Sequence, residues 1–161
     1  SRYAIYMATL GNRPDLFPGS EYVGKYTEPP KDEVPREYLD DETFAAILSE
    51  AEKYIGYPYV WGGSSPATSF DCSGYVSWVI NHSGWNVGRL GPGLYNICTP
   101  TSNPQPGDLV FFKGTYDTPG VSHCGIYVGD NKMLHCGDPI GYANLNTSYW
   151  QSHFYAYGRL P

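Results

Sequence analysis

The sequence predicts an α+β fold, and three observations point there. Two stretches with helical spacing of apolar residues come first, at about 42–55 and 72–82. Short strand-like runs follow at 109–112, 121–128, 132–136 and 154–159. A tight turn, Gly129-Asp130-Asn131, joins two of these runs, so they pair as an antiparallel hairpin. Helices followed by a run of hairpin-linked strands give helices packed on an antiparallel sheet.

The elements can be justified in chain order. Residues 1–39 carry Pro14, Pro18, Pro29, Pro30 and Pro35 and hold no steady period. Proline removes amide donors and fixes φ, so these residues are expected to form a linker or an extended arm. The folded domain is expected over 40–161. Asp40 and Asp41 can cap a helix whose apolar face is Phe44, Ile47, Leu48, Ala51 and Ile55, and Gly56 closes it. Tyr57 to Gly63 is a short extended aromatic piece, and Ser64 to Phe70 is read as a loop. The second helix starts at Asp71-Cys72 and shows Cys72, Val76, Val79 and Ile80 on one face, with Tyr75 and Trp78 broadening it. Residues 84–107 are loop-rich, with room for a short helix over Leu94 to Cys98. Gln105-Pro106-Gly107-Asp108 is a turn signal before the buried run Leu109-Val110-Phe111-Phe112.

Composition narrows the function. The 161 residues suit one domain, and their net charge of −6 supplies no basic footprint for nucleic acid. The same charge gives no reason to bind an anionic membrane surface, and no apolar run is long enough to span a membrane. The 16 tyrosines are mostly core and loop packing; a tyrosine-rich surface also suits polar, sugar-containing or peptide ligands. The four cysteines form no C-x-x-C pair, which argues against a zinc ribbon or a thioredoxin-like motif.

Cys72 is the chemically pointed residue. Amides in a helix's first turn lack intrahelical partners and carry partial positive charge, so a thiol placed there is favoured as thiolate. A cysteine nucleophile also needs a base, and the base needs a group to orient it. His123 and His135 lie on the two strands of the expected hairpin, with a spacing that puts both on one face. Cys124 and Cys136 then share the opposite face, Cys124 pointing away from the site. The alternation argues against a two-His, two-Cys zinc cluster and leaves these cysteines as core thiols or a cross-strand disulfide.

Tyr59-x-Trp61-Gly62-Gly63, Phe70-Asp71-Cys72-Ser73-Gly74-Tyr75-Val76, Gln105-Pro106-Gly107-Asp108-Leu109-Val110-Phe111-Phe112, His123-Cys124-Gly125-Ile126-Tyr127-Val128-Gly129 and then His135 occur in this order. Together they resemble the NlpC/p60 family of papain-like cysteine peptidases, over about 42–161. The resemblance implies Cys72 as nucleophile, His123 as base, His135 as its orienting group and Tyr59 as an active-site tyrosine near the oxyanion. It implies Asp71, Ser73 and Trp61 as substrate-pocket residues, no metal and no cofactor. The blander roles are a helix cap for Asp71, a first-turn partner for Ser73 and a core position for Trp61. Asp108 reads as a turn or strand-start residue. Cys124 departs from the family pattern, which usually has an apolar residue there. The loop over 85–104, with Arg89, cannot be matched to substrate contacts. The implied substrate is a peptidoglycan stem peptide, cut between D-γ-glutamate and a diamino acid, outside the cell or in the wall. An upstream glycan-cleaving or wall-binding domain is the implied partner. The rivals are an amidase or acyltransferase on the same nucleophile, and a non-catalytic module that binds wall glycan.

Overall fold

A computed structural model describes residues 34–88 and 91–161. The expected arm lies outside the described residues as far as residue 33, and so does Arg89. Arg36–Asp40 forms a 3-10 turn, and Tyr38 donates its hydroxyl hydrogen to Asp130 at 2.9 Å, across the β-hairpin turn.

Helix α1 spans Glu42–Glu52, and of the two expected caps it is Asp41 that serves. Its carboxylate accepts from the amides of Thr43 and Phe44, satisfying two donors the helix leaves open. The helical spacing continues beyond Glu52 only as turns, ending at Gly56, whose φ of +96° favours glycine. Residues 64–70, expected as a loop, instead form a small hairpin of β1 (Ser64–Ser65) and β2 (Ser69–Phe70). Helix α2 spans Cys72–Asn81. A 3-10 helix over Gly91–Ile97 stands where a short helix was expected.

The main sheet has six antiparallel strands, in the order β3-β8-β4-β5-β6-β7. They are β3 (Thr99–Thr101), β4 (Leu109–Lys113), β5 (Val121–Gly129), β6 (Lys132–His135), β7 (Gly141–Asn144) and β8 (Phe154–Arg159). Two edge strands, β3 and β7, fall in segments without a strand period. Their pairing with β8 and β6 supplies what local sequence does not.

The run 109–112 is apolar throughout because both faces of the sheet are covered. Leu109 and Phe111 pack with α1 and α2 in the main core, which includes Phe44, Ile47, Val76 and Val79. Val110 and Phe112 face the other way, into a smaller cluster with Met133 and Leu145. That second face is covered in part by helix α3 (Ser148–His153), which the sequence reading did not anticipate. Truncating a buried Phe such as Phe111 to Ala costs about 3–5 kcal/mol in comparable cores. Asp108 closes the turn before β4 by accepting from the Gln105 amide at 2.7 Å. Arg159 grips the same carboxylate with two nitrogens, at 3.1 and 2.8 Å. Asp108 is therefore a turn and strand-start residue.

Candidate active site

Three pieces of backbone meet at Cys72. The first is the start of α2. Asp71 caps it, one carboxylate oxygen accepting from the Gly74 amide at 2.8 Å and the other from the Gly62 amide at 3.1 Å. The Asp71 amide donates to the Gly63 carbonyl at 2.9 Å, so the glycine pair is tied to the helix start from both directions. A Cβ on Gly74 would overlap the Gly63 carbonyl oxygen, so this close approach depends on glycine.

The second piece is β5. The Cys72 thiol donates to the Ser122 carbonyl at 3.8 Å. Strand β6 ends at His135, which pairs with Gly125, so β6 does not extend alongside Ser122. The Cys72 sulfur lies against the β5 backbone there, within reach of Ser122, His123 and Cys124. This changes the expected place of Cys124, which does not point away from the site. His123 and Cys124 are neighbours on β5, yet both hydrogen-bond the sulfur, next to the point where the β4–β5 register shifts. Cys124 and Cys136 are free, buried thiols and form no disulfide.

The electrostatics follow from these contacts. The Cys72 thiol is held well below the usual thiol range, chiefly by the hydrogen bond with Cys124. The hydrogen bond and charge of His123 and the backbone amide of Ser73 act in the same direction, while burial opposes them. Cys124 is pushed well above its usual range by the hydrogen bond with Cys72 and by burial. Cys136 is raised well above it by burial, and Cys98 is raised to about 11, also by burial. Of the four thiols, only Cys72 is poised to ionise near neutral pH.

The third piece is the end of β6. His135 stands two residues along from His123 in the pairing register, so both point to one face. His123 Nε2 and His135 Nδ1 are 2.8 Å apart, and both residues are buried. Burial first, and then the charge of His123, push His135 well below the usual histidine range, so it stays neutral at pH 7.

The remaining expected site residues differ in their surroundings. Tyr59 is joined to Phe70 by a parallel bridge, two residues before Cys72, and its amide donates to Asp138 at 3.2 Å. Ser73 contributes its backbone amide to Cys72. Trp61 is not a core residue: it is 66% exposed and meets Tyr116 edge-on, with ring centroids 5.3 Å apart. Among the described residues, no three His, Cys, Asp or Glu side chains converge on a metal position. The sequence reading missed two contacts, Cys124 on the Cys72 sulfur and Trp150 on the histidines. A signal for the second existed in Thr147, a cap residue whose Oγ1 accepts from the Trp150 amide at 3.3 Å.

Comparison with known proteins fits this geometry. The model of the NlpC/P60 family matches residues 56–159. The bifunctional muramidase/DL-endopeptidase CwlT of Bacillus subtilis is 40% identical over 120 residues, covering 73% of this chain and 36% of that protein. The γ-DL-glutamyl hydrolase of the same organism is 39% identical over 111 residues, covering 66% of this chain and 27% of its own length. A Staphylococcus aureus protein described as similar to lipoprotein, NLP/P60 family, superposes with a TM-score of 0.72 at 42% identity, covering 81% of this chain and 45% of that one. The chain thus spans only about a third of the length of curated relatives it matches.

Proposed function

The chain belongs to the NlpC/P60 family, and on that premise we propose that it is a cysteine endopeptidase of peptidoglycan stem peptides. The bond cut is that between D-γ-glutamate and the following diamino acid, either meso-diaminopimelate or L-lysine. One observation carries the reading: the Cys72 sulfur sits between a helix-start amide and a histidine that is itself tied to a second, neutral histidine.

The proton positions follow from the geometry. His123 Nε2 is engaged with His135 Nδ1, which leaves His123 Nδ1 for the thiol. A neutral His135 accepts from His123 Nε2–H and fixes the tautomer that can take a proton at Nδ1. Cys72 gives its proton to His123, and the thiolate attacks the γ-carbonyl carbon. Tyr59 lies on the oxyanion side, and Asp71, Ser73 and Trp61 border the substrate. The C–N bond breaks as His123 returns the proton to the leaving amine. Water then adds to the acyl-enzyme, giving its proton to His123. Collapse of the adduct breaks the C–S bond, freeing the glutamate carboxyl group and restoring the thiol. Each step uses this chain's side chains and water.

The activities named for the two curated relatives, DL-endopeptidase and γ-DL-glutamyl hydrolase, support this bond. The place of action is then the wall or the space outside the cell. On this reading residues 1–39 are a linker or an extended arm, and 40–161 are the catalytic domain. The muramidase activity named for one relative supports a glycan-cleaving partner domain upstream. Among the described residues no helix is long and apolar enough to cross a membrane.

The test is mass spectrometry of purified muropeptides after digestion by the wild type and by Cys72→Ala. Only the wild type should release products split between glutamate and the diamino acid. The same digest from the variant, or cleavage at another bond, would overturn the assignment.

A further inference from the structure

We propose that Trp150 is a positioning residue for the histidine pair, holding the His123 ring toward the nucleophile and shielding the His123–His135 hydrogen bond from water. The proposal rests on Cys72 and His123 acting as nucleophile and base.

The geometry is specific to these rings. The Trp150 indole is stacked on His123, with centroids 5.4 Å apart and planes 23° from parallel. The same indole meets His135 at 5.3 Å and 87°, edge to face. Phe112 backs the arrangement, 4.7 Å from Trp150 and 6.0 Å from His123. The two imidazoles are themselves nearly perpendicular, at 86°. One tryptophan therefore contacts both members of the pair, each in a favourable aromatic geometry.

The helix that carries Trp150 covers the second apolar face mainly through that one indole. Helix α3 has six residues and no fully buried side chain, and a helix so short is marginal in isolation. It is pinned by polar contacts of its second half. Gln151 Nε2 donates to the Leu145 carbonyl at 2.7 Å, and His153 Nδ1 bonds the Lys113 carbonyl at 2.9 Å. These ties fix the height of the helix over β4 and β5, and that sets the indole on His123.

The His–His hydrogen bond holds the Nε2 edge of the His123 ring but leaves the ring plane free to tilt about it. A stacked indole removes that freedom. It also keeps the hydrogen bond in a low-dielectric place, where it is stronger. When His123 takes the proton from Cys72, the ring becomes a cation facing a π-surface, which attracts it.

The experiment compares the wild type with Trp150→Phe and Trp150→Leu in the full chain, after circular dichroism confirms folding. Two readouts are used: kcat and KM on muropeptides, and the rate of Cys72 alkylation as a function of pH. Leu should lower kcat about 10- to 100-fold with little change in KM. It should also displace the alkylation profile, and Phe should recover most of both. A folded Trp150→Leu with wild-type kcat and an unmoved profile overturns the positioning role, as does a Phe variant no better than Leu. If Leu does not fold, Trp150→Met takes its place in both readouts, and the same outcomes decide. A wild-type Cys72 that alkylates no faster than an ordinary thiol brings down the catalytic reading and this proposal together. A fast Cys72 without muropeptide cleavage brings down only the substrate assignment.

Discussion

His123 Nε2 lies 2.8 Å from His135 Nδ1, and the two rings divide the work by their surroundings. His135 is buried and held neutral, so it can accept a hydrogen bond but does not compete for the proton. His123 also approaches the Cys72 sulfur, so it is the ring through which a proton can move.

Replacing His135 separates orientation from proton transfer. His135→Asn or His135→Gln keeps a polar acceptor and should retain much of the activity. His135→Leu should lower kcat by about 100-fold or more, since the wrong His123 tautomer is no longer excluded. Steady-state kinetics on muropeptides checks the order. Equal activity in Leu and Asn variants would remove His135 from an orienting role.

Burial of neutral His135 also predicts acid sensitivity. Its folded value is depressed, so below the ordinary histidine value near 6.5 the unfolded chain binds more protons than the folded one. The stability contribution is thus fully present above about pH 6.5 and declines as pH falls toward the folded value. Denaturant midpoints measured from pH 7.5 to 5 should fall, and less steeply in His135→Gln. Parallel slopes in the two proteins would contradict this.

Cys124 should tune the nucleophile without being required for it. Cys124→Val removes the hydrogen bond that does most to lower the Cys72 thiol, so less thiolate is present at a given pH. Alkylation of Cys72 at pH 6 should slow, and its pH profile should move upward. Activity should drop only several-fold, since His123 remains. In the wild type, Cys98, Cys124 and Cys136 should stay unlabelled under the same conditions. Mass mapping of the labelled peptides reads both outcomes.

Two glycines near the site should differ sharply. A Cβ on Gly74 would collide with the Gly63 carbonyl oxygen and crowd Asp71 Oδ1, both on rigid backbone or a cap. Gly74→Ala should cost about 3 kcal/mol and most of the activity. Gly62 has a φ of +80° but open space around it, so Gly62→Ala should cost only about 1 kcal/mol through backbone strain. Thermal melts rank the two.

Asp71 has a capping role visible in its bonds to Gly74 and Gly62 and a proposed one toward substrate. Asp71→Ala should lose about 1 kcal/mol as a cap is removed. Asp71→Asn keeps an oxygen for the Gly74 amide but loses the bond from Gly62, so its melting temperature should fall less than that of Asp71→Ala, and a KM raised equally in both variants isolates the substrate role. An unchanged KM leaves Asp71 as a cap alone.

Both helices, the hairpin and the last strand were legible because their signals are local. Phe44 to Ala51 and Cys72 to Ile80 carry helical spacing, and Gly129-Asp130-Asn131 carries turn chemistry. The edge strands β3 and β7 were not legible, because they are strands only by virtue of their neighbours. Helix α3 is too short to show a period.

The sequence by itself determined which residues could meet. It set a thiol at a helix start and two histidines on one face of a hairpin. Tertiary structure decided where the sulfur lies. Cys72 meets the β5 backbone at Ser122, and Cys124 becomes a contact of its sulfur instead of a thiol turned away from it. Strand alternation assigns a face to each side chain, but it does not say where an atom of another element meets the strand. The stacking of Trp150 on His123 was decided in the same way, by the docking of a short helix onto β4 and β5.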